Sequence, residues 1–164
     1  MTKPKPNHLT LKQAFKHLCD REYMTGVART KDRVKATGEV FTPDALVKEM
    51  IEKVIERNPK TFSDPKKTMM DPSCGDGQFL AWGVIYKLCA GDLRKLEKPE
   101  ADTKNVFNEY VRALSHVYGV DLMQDNINEC HRRLACGFVD KRITKILKQN
   151  IRCENSLTYD FSFE

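Results

Sequence analysis

MMDPSCGDGQFL, residues 69–80, sets a carboxylate, a two-glycine turn and the start of an apolar segment side by side. Residues 67–71 read as a short strand ending at Asp71. Gly75 and Gly77 let the backbone turn tightly and come close to a ligand. From Gln78 to Ala90 the spacing predicts a helix, with Phe79, Leu80, Trp82, Val84, Ile85 and Leu88 on a broad apolar face. The free N–H groups of its first turn would point back at the glycines. A phosphate-gripping loop would need Gly-Lys-Ser/Thr, which is absent, and would not place Asp71 beside the phosphate. Strand, turn and helix therefore suit a ligand with a cationic group near the loop and a ribose further along.

Downstream, HVYGVDL (116–122) reads as a second strand, ending in Asp121. A carboxylate there can accept from both ribose hydroxyls. Residues 91–103 are charged and read as a loop, and 104–115 as a helix. Residues 123–136 predict another helix, with Ile127, Cys130 and Leu134 inward and Met123 a further candidate. A short helix near 140–147 and a short strand near 150–153 follow. The order strand, helix, helix, strand, helix, strand predicts a parallel sheet with right-handed crossovers. Ligands of such sheets lie beyond the carboxyl ends of the strands. Those ends carry Asp71, Asp121 and the Glu154-Asn155 pair.

Upstream, residues 1–8 read as a loose tail. Thr10 is placed to cap a helix over 11–23, with Leu11, Ala14, Phe15 and Leu18 on one face. Residues 24–41 read as a loop. Within it RTKDRVK (29–35) sets Arg29, Lys31, Arg33 and Lys35 against one acid, as a solvated segment or a phosphate contact. Thr42-Pro43 reads as N-cap and first-turn proline. The helix after it, 43–57, is expected to bury Leu46, Val47, Met50, Ile51, Val54 and Ile55, and Asn58-Pro59 to stop it.

The 164 residues suit one core, divided as an N-terminal tail, helix and basic loop (1–35) and a ligand-binding domain (36–164). With 40% apolar and 31% charged residues, the composition is that of a soluble globular protein. No run of 18 apolar residues predicts a membrane span, and the N-terminus lacks a secretion-signal pattern. The net charge of +5 is compatible with nucleic acid. None of the six cysteines forms a C-x-x-C pair. Buried thiols in a reducing cytoplasm are expected ahead of disulfides or zinc. His116 and His131 read as ordinary surface or half-buried residues rather than bases.

Four stretches in order resemble the adenine-N6 DNA methyltransferases of restriction-modification systems, over about residues 36–160. They are GEVFTP (38–43), DPSCGDGQFL (71–80), YGVDL (118–122) and ENSL (154–157). The resemblance is to the half that binds S-adenosylmethionine, whose product is S-adenosylhomocysteine. It implies a Rossmann-like methyltransferase fold, here its first half with three parallel strands, preceded by N-terminal helices. By position it implies that Asp71, with Pro72 and Ser73 beside it, binds the α-ammonium, and that the backbone of Cys74, Gly75 and Gly77 lines the methionine part, ahead of Phe79. Asp121 would take the ribose hydroxyls and Leu122 would pack on the adenine. Asn155, followed by Ser156 and Leu157, would meet the adenine amine. Phe41, Thr42 and Pro43 would close the pocket.

The family's catalytic Asn/Asp-Pro-Pro-Tyr/Phe motif, which orients the flipped target base, does not occur in these residues. The one Asn-Pro, at 58–59, precedes the cofactor loop. The expectation is the cofactor-binding part of a DNA methyltransferase, inactive alone and completed by another segment or chain. A stand-alone S-adenosylmethionine-binding protein with a regulatory, sequestering or anti-restriction role is the alternative. DNA and a homodimeric or heteromeric partner are the expected partners. In the resembling family strand one lies at the centre of the sheet, so here it is expected at an edge.

Overall fold

The computed structural model describes residues 7–20 and 42–163. Phe41 and the basic stretch with Arg29, Lys31, Arg33 and Lys35 lie outside the described residues. In chain order the elements are α1 (Leu11–Cys19), α2 (Asp44–Arg57), α3 (Lys60–Ser63), β1 (Met69–Asp71), α4 (Gln78–Leu88), a 3-10 turn (Leu93–Glu97), α5 (Glu100–Thr103), α6 (Phe107–Leu114), β2 (Val117–Asp121), α7 (Gln124–Leu134), α8 (Lys141–Asn150) and β3 (Ile151–Cys153).

The three strands form one parallel sheet in the order β1-β2-β3, with Asp71 opposite Gly119 and Asp121 opposite Cys153. This is a mixed α/β architecture compatible with half of a Rossmann-like sheet. Among the described residues β1 pairs with β2 alone and forms a sheet edge.

Alternation puts Met69, Val117, Gly119 and Ile151 on one side of the sheet. That side meets α4, and Gly119 lets it come close, since a Cβ there would lie 2.6 Å from Leu80 Cδ1. Helix α4 is buried nearly all round, from Leu80 to Tyr86, as expected of a helix apolar on every side. Helix α1 adds Leu11, Ala14 and Leu18 to the same core. Its cap is the expected Thr10, reinforced by Gln13 in a reciprocal capping box. On the other side of the sheet Tyr118 meets the Phe163 ring at 4.9 Å, while Met70 is 47% exposed.

Several expectations are corrected. Helix α1 ends at Cys19, with Asp20 extended, rather than at 23. Helix α2 starts at Asp44, with Pro43 rather than Thr42 at the N-cap, because Pro43 has an extended ψ of 148°. Asn58 does end that helix, and Pro59 then opens the short helix α3. The charged stretch 91–103 holds a 3-10 turn and α5, and the next helix begins at Phe107 rather than 104. Of the six apolar residues expected inside from α2, Val47 and Ile51 are buried and Ile55 partly so. Leu46, Met50 and Val54 are each close to half exposed. Their stripe has the right period, but no described element lies over it.

Candidate ligand site at the strand ends

Asp71 ends β1, and the chain then reverses over the end of β2. Ser73 N–H donates to Asp71 Oδ1 at 3.0 Å, and Cys74 N–H to Val120 O at 2.9 Å. Gly75 N–H donates to Asp121 Oδ2 at 2.9 Å. Gly75 and Gly77 both have positive φ, 52° and 83°. Gly77 is the N-cap of α4 and supplies no side-chain cap. Its carbonyl takes the first helical bond, from Ala81 N–H. The N–H groups of Gln78, Phe79 and Leu80 thus precede the hydrogen-bonded ladder and face the turn.

Asp121 is 8% exposed and heavily engaged. Besides Gly75 N–H it accepts from Met123 N–H at 2.9 Å and Asn126 Nδ2 at 3.1 Å. A carboxylate has about four lone-pair directions, so three bonds leave room for one more donor. Asp121 is therefore an anchor of the turn as well as the expected ribose acceptor. Leu122, next in the chain, is 59% exposed, an apolar surface at the rim.

Burial pushes the Asp71 carboxyl above the ordinary carboxylate range, and the Asp121 charge adds to the push, against the Ser73 N–H bond that lowers it. An ionised Asp71 in this half-buried position beside Asp121 is favoured by a cationic group bound against it.

β3 brings its following residues to the same edge, where Glu154 N–H donates to Asp121 O at 3.0 Å. Asn155 is exposed, and its Oδ1 accepts from Leu157 N–H at 3.0 Å in a local turn. Ser156 is half-buried and Leu157 almost fully exposed. Pro72 and Ser73 are exposed beside Asp71, while the Cys74 side chain is buried. The Phe79 side chain points elsewhere. It lines a groove of about 330 Å³ between α2 and β1, with Met50, Val54 and Met70. Half-buried Thr42 and exposed Pro43 sit at the start of α2, close to α4 through the bond of Asp44 to Trp82 Nε1 at 2.8 Å.

His131 bonds Ile151 O through Nε2, and His116 Nδ1 meets Arg112 O and Ser115 Oγ, so both serve local structure. All six cysteines are free thiols. No group of three or more His, Cys, Asp or Glu that could hold a metal occurs among the described residues. No described helix is long and apolar enough to cross a membrane. Sequence reasoning did not single out Asp76, Gln78, Asn126 and Arg133, which hold the turn from behind. The available signal was Arg133, which shares the inward helical spacing of Ile127, Cys130 and Leu134.

No protein-family model and no curated protein matches this chain.

Proposed function

We propose that the chain binds S-adenosylmethionine at the carboxyl ends of β1 and β2, as the cofactor-binding part of a DNA adenine-N6 methyltransferase. The observation that carries this is the glycine turn bound to Asp121 through Gly75, with the desolvated Asp71 carboxyl beside it. An amino-acid moiety fits that arrangement. Its ammonium answers Asp71, and its carboxylate answers the free N–H groups at the start of α4. A ribose further along reaches the remaining acceptor direction of Asp121, with the adenine over Leu122. The four motif stretches supply the choice of this ligand over other cationic nucleosides.

Methyl transfer is an in-line displacement at the sulfonium carbon and depends on positioning the target nitrogen. The 164 residues hold no Pro-Pro-Tyr motif to do so. The chain alone is expected to bind S-adenosylmethionine and S-adenosylhomocysteine and to leave DNA unmethylated. Titration calorimetry with both ligands, paired with a labelled-methyl assay on mixed-sequence duplex, checks both halves. No heat at millimolar ligand would sink the binding claim, and robust labelling of adenine N6 would refute the claim of inactivity.

The same reading includes a partner at the β1 edge. Among the described residues no strand pairs with the outward N–H and C=O of Met70 at this sheet edge. Parallel sheets are ordinarily covered on both faces, yet Met70, Met50 and Val54 are about half exposed in one apolar stretch. A homodimer or a complex is expected to cover it. Sedimentation at micromolar concentration should give a species heavier than 18.9 kDa. A clean monomer whose Met70 amide exchanges slowly would mean that the chain covers this edge by itself.

A further inference from the structure

Behind the glycine turn runs a chain of polar side chains from four separate elements. Arg133 of α7 has a side chain with no exposed surface. Its Nε donates to Leu18 O in the last turn of α1, and its Nη2 donates to Gln78 Oε1 at 2.6 Å. Its Nη1 lies 3.6 Å from Asp76 Oδ2, and Asp76 stands between the two glycines of the turn. Gln78, the first residue of α4, donates through Nε2 to Asp44 Oδ1 at the start of α2, the same oxygen that accepts from Trp82 Nε1. Arg133, Asp76 and Gln78 are each 2–3% exposed.

The donor and acceptor chemistry leaves this chain one orientation. A guanidinium only donates, and an ionised carboxylate only accepts. The Gln78 amide must therefore turn its oxygen to Arg133 and its nitrogen to Asp44. Buried polar groups of this kind add little net stability over apolar ones of the same shape, but they single out one arrangement. Here Arg133 hydrogen-bonds Gln78 and faces Asp76 as an ion pair at 3.6 Å, and these are the residues on either side of Gly77.

We propose that Arg133 and Gln78 are positioning residues for the glycine turn: they hold Gly75 and Gly77 in the geometry that presents backbone N–H groups to the ligand, and they tie that geometry to the start of α2 through Asp44. The consequence for ligand affinity rests on the function proposed above. The consequence for the turn itself does not.

The test compares Gln78→Met, which keeps the shape and loses both bonds, with Asp44→Asn, which keeps an acceptor oxygen for Gln78 and Trp82. Amide exchange is read at Gly75 and Gly77 against Val120 in the central strand, without ligand. In Gln78→Met the two glycine amides are expected to speed up by at least about tenfold more than Val120, the effect of losing the Arg133 and Asp44 bonds and leaving the buried guanidinium nitrogen unpaired. Asp44→Asn should leave that ratio near wild type. Calorimetry should show S-adenosylmethionine binding about tenfold weaker in Gln78→Met, and near wild type in Asp44→Asn. Equal acceleration at the glycines and at Val120 would mean a general loss of stability and would overturn the proposal. Asp76→Asn, of unchanged shape, is the second variant and is held to the same exchange criterion. If the wild type gives no heat with the ligand, the proposed function falls, and the exchange ratio still decides the positioning role.

Discussion

Asp71→Asn is expected to raise the melting temperature of the free protein while weakening its binding of S-adenosylmethionine by about ten- to a hundredfold. Burial and the neighbouring Asp121 raise the Asp71 pKa, so the ionised form is disfavoured in the fold. The sign follows by linkage. A carboxyl with a raised folded pKa lowers stability as pH rises from the ordinary value of 3.8 through the folded one. Asparagine removes the charge and keeps an oxygen for Ser73 N–H. Each kcal/mol relieved should appear as about 2–4 °C in a chain of this size. The ligand reverses the balance, because its ammonium stabilises the ionised carboxylate. A hydrogen bond to a charged group contributes about 1.5–3 kcal/mol, which sets the expected loss of affinity. Wild-type affinity should also fall as pH drops through the raised Asp71 pKa, since binding must then release a proton, and the variant should lack that dependence. Thermal melts and calorimetry across acidic to neutral pH check this. A variant that melts lower and binds unchanged would show that Asp71 is a structural cap and no ligand group.

Gly77→Ala is expected to be among the most damaging single substitutions in the chain, at roughly 2–5 kcal/mol. Gly77 has φ of 83°, where a residue with a Cβ loses about 1–2 kcal/mol. The new Cβ would also lie 2.5 Å from the Cys130 Sγ of α7. Overpacking of a dense interior adds about 1–3 kcal/mol. The two parts can be separated. Cys130→Ala removes the sulfur and leaves the backbone strain, so the double variant should recover the overpacking part, a coupling of about 1–3 kcal/mol. Urea unfolding of the four proteins in the cycle measures it. Simple additivity would mean that α7 moves aside without cost and does not fix the turn.

The stretch at 69–80 was legible because each of its features is local. A strand end, a turn that needs positive φ and an apolar helix are all written within a dozen neighbouring residues. Two further strands and the helices between them followed from periodicity, and with them the parallel sheet and the shared edge of Asp71, Asp121 and Glu154. What failed was what periodicity cannot carry. The stripe of Leu46, Met50 and Val54 shows that one side of α2 is apolar, but not whether another element covers it. Asn58 ends one helix and Pro59 opens the next, so the short α3 lies hidden behind a stop signal. The polar chain from Asp44 through Gln78 to Arg133 joins residues 34 and 55 positions apart, and no local pattern announces it. The strand-end position of Asp121 points to a ligand acceptor. Its bond to Gly75 N–H across 46 residues shows that it holds the turn too.

On the proposed function, S-adenosylmethionine binds where the glycine turn meets the ends of β1 and β2. An amide-resolved NMR titration of the full chain with this ligand tests it most directly. Saturable shifts are expected at Gly75, Gly77, Gln78 and Leu122, with little change at Met50 and Val54 in the groove beside β1. Saturable binding that moves the groove amides and leaves the turn still would contradict it.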